Sequence, residues 1–151
     1  VHGDRLLAIP AIDLDVAIIH AATSDVYGNV QHNGTAYGDR ALSAAADYSV
    51  ASVEQLVSNQ QIKATPSATT VAGADEVIRL PFGAHPFGSD GYYRVDEDHL
   101  QEYISAARDW AKSGSRGQLD DYFGRYIRGT SDHIEYLEEV GMRSLLSLSE
   151  Y

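Results

Sequence analysis

The chain is 151 residues long and carries 11 Lys and Arg against 22 Asp and Glu, a formal net charge of −11. That balance excludes work that neutralises phosphate backbones or anionic lipid, both of which need clustered basic side chains, so no nucleic acid and no membrane is expected as a partner. The chain contains no Cys, which removes disulfides, thiolate catalysis and thiolate metal sites together.

With 44 % hydrophobic and 22 % charged residues, the composition is that of one globular domain over residues 1–151. No apolar run approaches the roughly 20 residues that cross a bilayer. Val1 to Arg5 lack the charged start and apolar stretch of a signal peptide, so the expected location is the cytoplasm. Leu6 to Ile9, closed by Pro10, reads as a strand with nothing before it; with no starting Met, upstream sequence is expected.

Val16 to Ala22 is a continuous apolar run rich in β-branched residues, which fits a strand buried on both faces. Thr23 to Asn29 follows as a polar turn in which Gly28 and Asn29 tolerate left-handed backbone. A short strand is expected over Val30 to His32. Tyr37, Ala41, Leu42, Ala44, Ala45 and Tyr48 recur at helical spacing. Ser49 to Val53 reads as a strand, Val53 to Val57 as a turn or helical stub, and the stretch with Lys63 and Pro66 as a loop. Ala74 to Leu80 is the next strand. Pro81 to Gly91 is a loop with two Pro and three Gly in eleven positions.

From Asp96 the pattern turns helical. Asp96 is a candidate N-cap, Glu97 and Asp98 suit the positive end of the helix dipole, and Leu100, Tyr103, Ile104, Ala107 and Trp110 form one stripe that ends at Lys112 and Gly114. Leu119 to Ile127 carries a second stripe. A third helix is expected from Thr130 or Ser131 to Val140, with Gly141 as its stop. Alternating strand and helix over 1–95 and helices over 96–151 predict an α/β fold: a three-layer αβα arrangement of a mainly parallel sheet with a helical C-terminal segment.

Three segments in order carry a resemblance. Asp15-Val-Ala-Ile-Ile-His-Ala-Ala-Thr-Ser-Asp-Val-Tyr-Gly-Asn29 resembles "DVAlIhA…aDxxGN". Gly34-Thr-Ala with the Ala-rich stretch from Arg40 to Asp47 resembles "GTARNF…A". Val53-Glu-Gln-Leu-Val57, Glu76-Val-Ile-Arg-Leu-Pro-Phe-Gly-Ala-His-Pro86 and Gly91-Tyr-Tyr93 are similar to "VEElV…vDxVvlPpgaHP…GyY". The patterns are those of the α subunit of family I CoA transferases, of the glutaconate CoA-transferase type. Ser24 stands where that family usually has Ala, and Tyr37-Gly38-Asp39 replaces its Arg-Asn.

The resemblance implies the C-terminal half of an α subunit, lacking the Gly-rich N-terminal segment associated with CoA. It implies a β-subunit partner that carries the nucleophilic glutamate, a CoA thioester as substrate, no cofactor, and a site completed jointly with that partner and the N-terminal half. A related activity opens a ring in a steroid-derived CoA thioester by hydrolysis. A non-catalytic assembly module built on Tyr122, Phe123, Tyr126 and Tyr136 is the reading from another class.

His85 lies in Phe82-Gly-Ala-His-Pro-Phe-Gly88, after a strand, where α/β sheets bind ligands. It has two readings: a hydrogen bond or proton transfer at an acyl-CoA thioester or carboxylate, or a pin for a Gly/Pro loop. Gly83 beside it lets backbone approach a ligand closely. Ser24, Asp25 and Asn29 occupy the other post-strand loop as substrate-binding candidates, with turn formation as the plainer role. Tyr92 either lines an acyl pocket or packs its loop. His20 reads as a satisfied, partly buried histidine. No metal is expected, since His99 and His133 lack H-x-x-x-H or H-x-x-E-H spacing. The connections near Asn29 and near His85 are expected to leave one rim of the sheet and frame a shared crevice.

Overall fold

A computed structural model describes Leu7 and residues 10–149; of the strand expected over Leu6 to Ile9, only Leu7 lies within the described residues, exposed and outside any strand. The central strands are β1 (Leu14–Ser24) and β3 (Ala46–Leu56), which pair in parallel from Leu14 opposite Ala46 to Ser24 opposite Leu56. β5 (Glu76–Arg79) adds in parallel to β3. On the other side β2 (Val30–Gln31) runs antiparallel to β1, and β4 (Thr69–Val71) antiparallel to β2. The order is β4-β2-β1-β3-β5. This is the mixed, mostly parallel sheet of an α/β protein. α1 (Asp39–Ala45) makes the crossover from β2 to β3, and α2 (Asn59–Ala64) follows β3.

One face of the sheet holds the core: Ile19, Ala21, Val30, Ala51, Val53, Val71 and Ala74, all buried, with Val77 packed beside them. The other face differs from the two-sided burial expected of Val16 to Ala22. Ile18 is 76 % exposed and Val16 52 %. Their neighbours in register, Tyr48 and Val50, and Ile78 on β5 share that face. An apolar run reports that a face can be buried, not that a layer covers it; among the described residues nothing covers this part of the sheet.

The helical part begins with α3 (Glu97–Ser113), capped by the Asp96 side chain on the His99 N–H and closed by Gly114 in left-handed backbone. α4 (Gly117–Phe123) continues into a π-helical turn over Gly124–Arg128. α5 (His133–Val140) is capped by Asp132, one residue past the expected Thr130 or Ser131. α6 (Met142–Leu148) ends against the segment that leads into α3, where the Arg94 N–H donates to the Leu148 carbonyl at 2.9 Å. No described helix is long and apolar enough to cross a membrane.

Candidate functional site

β1, β3 and β5 are parallel, so their carboxyl ends share a rim, and the turn after β1 and the loop after β5 both leave there. The turn after β1 is closed on itself. Asp25 is fully buried. Its Oδ1 accepts from the backbone N–H groups of Tyr27 and Asn29, both at 3.0 Å, and its Oδ2 accepts from Asn29 Nδ2 at 2.9 Å and Asn59 Nδ2 at 2.6 Å. Burial resists its ionisation, but the hydrogen bonds from Asn59, Asn29 and Tyr27 outweigh it and hold the carboxyl below the usual aspartate range. Ser24 Oγ donates within the same turn, to the Asp25 carbonyl at 3.0 Å. Gly28 has φ +79°, and a Cβ there would overlap the Ala74 backbone, whose N–H donates to the Gly28 carbonyl. Ser24, Asp25 and Asn29 therefore sit together at the rim, each occupied by the turn.

The loop after β5 descends onto the sheet. A Cβ on Gly83 would lie 2.8 Å from Cε1 and Nδ1 of His20 and 2.7 Å from the Leu80 carbonyl, so only glycine lets the backbone cross this ring. His20 on β1 faces Ser52 and Glu54 on β3. Its Nδ1 lies 2.9 Å from Ser52 Oγ, its Nε2 2.7 Å from Glu54 Oε1, and Ser52 Oγ donates to the Ile19 carbonyl at 3.1 Å. Both ring nitrogens thus face acceptors. Glu54 is buried, and its other oxygen accepts from the Phe82 N–H at 3.0 Å. Phe82 holds φ +58°, a conformation unusual outside glycine, and its ring packs at a tilt of 34° against the buried Tyr93, centroids 4.6 Å apart. Tyr92, half-buried, has its hydroxyl pKa raised by burial and by the charge of Glu54.

A second histidine–carboxylate pair stands close by. His32 Nε2 lies 3.0 Å from Asp39 Oδ2, and its Nδ1 2.6 Å from Thr70 Oγ1, which donates to the Val30 carbonyl at 3.2 Å. Between the two pairs opens a crevice of about 350 Å³ whose walls include His20, His32, Thr35, Ala84, Phe87 and Ser89. The loop after β5 thus supplies one wall of it. Ser24, Asp25, Asn29, Gly83, His85 and Tyr92 are not among its lining residues. The two glycine-bearing connections leave one rim as expected, but they do not frame a shared crevice: the loop after β5 faces it, no residue of the turn Thr23–Asn29 does, and the opposite wall comes from β1 and the segment after β2.

His85 points the other way, into the helical part. It is buried; Nε2 donates to Asp96 Oδ2 at 3.1 Å and Nδ1 accepts from the Tyr136 hydroxyl at 2.6 Å. Asp96 Oδ1 accepts from the His99 N–H at 2.9 Å, and His99 Nε2 pairs with the Tyr122 hydroxyl at 2.8 Å. Burial lowers the pKa of His85 against the opposing pull of Asp96, and burial followed by the neighbouring His85 lowers that of His99. Burial, then the charge of Glu102, pushes the Tyr122 hydroxyl up to about 12. A separate polar cleft of about 440 Å³ opens beside Asp96, His99 and Glu102. Among the described residues, His85, Asp96 and His99 are the group with metal-competent atoms all within 4.8 Å of one another.

Sequence reasoning missed Glu54, Ser52 and His32. The strand reading stopped at Val53, one residue short of the carboxylate. Ser52 and Glu54 are two apart on a strand, so they share a face, and the register places His20 opposite Ser52 on that face.

A family model described as Coenzyme A transferase matches residues 1–77. The chain is 29 % identical to a glutaconate CoA-transferase subunit from Acidaminococcus fermentans, over 97 % of its own length and 44 % of that protein's. It is 32 % identical to the cholesterol ring-cleaving hydrolase IpdA subunit of Rhodococcus jostii, over 88 % of its own length and 45 % of the relative's. The crystal structure of the Acidaminococcus fermentans glutaconate CoA-transferase superposes with a TM-score of 0.88 at 29 % identity, covering 99 % of this chain and 46 % of that one. The chain thus spans less than half the length of these relatives. The fold, the ordered motifs along β1, β3 and β5, and the match over residues 1–77 converge: the chain belongs to the coenzyme A transferase family.

Proposed function

We propose that the chain is part of a heteromeric acyl-CoA-processing enzyme of the CoA-transferase type and that the rim crevice receives the acyl end of the substrate. The observation that carries this is the crevice itself, beside the carboxyl end of β1 and the loop that leaves β5, where α/β sheets place ligands, with His20, His32 and Asp39 in its walls and Glu54 bonded to His20 behind them. The partner subunit supplies the nucleophilic glutamate. Its carboxylate attacks the thioester carbonyl and releases the CoA thiolate; the thiolate then attacks the glutamyl carbonyl of the resulting anhydride, giving a glutamyl-CoA thioester and the free acid. The second half repeats these steps in reverse on the acceptor acid. In this chain the crevice side chains hold the acyl group in line and keep water from the anhydride. His85 anchors the loop that forms one wall, and the Asp25 turn fixes the rim. No cofactor beyond the CoA thioester is invoked.

The test is reconstitution with a family partner subunit, incubation with acyl-CoA and a second carboxylate, and intact-mass analysis. CoA-labelled partner glutamate and exchange of CoA between acids are expected. The similarity to the ring-cleaving hydrolase subunit favours one second reading: hydrolysis, in which oxygen from labelled water enters a ring-opened acid and CoA stays on the product. An assembly module would give neither label, and that result overturns the proposal.

A further inference from the structure

We propose that His85, Asp96 and His99 bind one divalent transition-metal ion of the zinc class, apart from the rim crevice. Two imidazoles and one carboxylate are a donor set that zinc takes with three protein ligands. Sequence spacing hides it, because His85 lies eleven residues from Asp96 and reaches it only when the loop after β5 folds against α3. Asp96, the cap of α3, and His99 in its first turn are three residues apart, which brings their side chains to one side of the helix start.

The outer contacts aim the inner atoms. Tyr136 occupies Nδ1 of His85, which leaves Nε2 facing Asp96; Tyr122 occupies Nε2 of His99, which leaves Nδ1 for a metal. Asp96 spends Oδ1 on the helix cap and turns Oδ2 to His85. Metal-bound imidazoles characteristically have their second nitrogen fixed in this manner. All three side chains are buried, and their ligand atoms lie within 4.8 Å of one another. Zinc bonds of about 2.0–2.2 Å need ligands roughly 3.3 Å apart; His85 Nε2 and Asp96 Oδ2 already stand 3.1 Å apart, so His99 has to close by up to about 1.5 Å. The proton now shared between His85 and Asp96 moves to Nδ1, where the Tyr136 oxygen accepts it. Entry is from the polar cleft of about 440 Å³ that Asp96 and His99 line. Glu102, one turn along α3, lines the same cleft, and the fourth position is left to water. The ion would clasp the loop after β5 to α3.

The purified full chain, stripped with chelator, is titrated with zinc by calorimetry and with cobalt(II) by visible absorption. One zinc per chain and intense tetrahedral cobalt bands are expected, with the His85 and His99 imidazole signals shifted in the NMR spectrum. Asp96→Asn keeps a good helix cap while losing the charged ligand, and His99→Gln removes one nitrogen. Both should weaken zinc at least about tenfold, and His32→Gln should not. No stoichiometric zinc overturns the proposal, as does zinc that leaves both imidazole signals in place or binds Asp96→Asn as tightly as the wild type. The NMR result needs no variant, so it decides the matter if the substitutions unfold the chain.

Discussion

At Gly83 the missing side chain matters as much as the histidine beneath it. Gly83→Ala drives a methyl group into the His20 ring and the Leu80 carbonyl, both fixed by neighbouring strands. The expected loss is about 1–3 kcal/mol by thermal or urea unfolding. Gly28→Ala meets backbone on the Ala74 side and also leaves φ +79° to a residue with a Cβ, so it should cost more than Gly83→Ala. Asp25 sets a pH dependence. Its folded pKa is depressed, so its ionised form stabilises the chain above the unfolded value of about 3.9, and that stabilisation is lost as pH falls through the lower folded value. Asp25→Asn should therefore lower the melting temperature at pH 7, and the gap to the wild type should narrow only below about pH 4. At His85, truncation to Ala leaves Asp96 Oδ2 and the Tyr136 hydroxyl without their imidazole partner, while Asp96 Oδ1 keeps the His99 N–H. A drop of about 1–3 kcal/mol in stability is expected; an unchanged melting temperature would favour direct work on substrate over anchoring.

Among the elements, α3 was the most legible, because its cap, charge pattern, stripe and closing glycine agree with one another. Asp96, Lys112 and Gly114 all serve as expected. The boundary between α1 and β3 was not legible: Tyr48 continues the helical spacing of Tyr37 and Ala41, yet it lies on β3 opposite Val16. α2 hid for a different reason. Six residues carry too little periodicity, and its start depends on a Ser58–Gln61 capping box between polar side chains. Ser58→Ala should cost about 1 kcal/mol, measurable by denaturant unfolding. β1 shows the limit of hydropathy. Its apolar run predicted burial on both faces, whereas Ile18 is 76 % exposed. Ile18→Lys should accordingly change the stability of this chain by no more than about 0.5 kcal/mol, as at other exposed positions; insoluble or unfolded protein would show that the face is covered.

On the scale of the molecule, the parallel sheet, the shared rim and the family were readable, because strand runs, turn glycines and motif order are local signals. The crevice walls were not. His20, His32, Asp39 and Ala84 come from β1, the segment after β2, α1 and the loop after β5, and only tertiary packing brings them together around one opening. The distinction between Ala84 or Phe87 in the crevice and His85 among the helices likewise depends on neighbouring residues of one irregular loop facing opposite ways, which no spacing rule supplies. Hydrogen exchange of the assembled enzyme with and without acyl-CoA tests the central claim most directly. Slower exchange in residues 32–39 and 84–90, with the cleft beside Glu102 unaffected, is the expected result. Protection confined to other segments, or none at all, would contradict a substrate site at the carboxyl rim of the sheet.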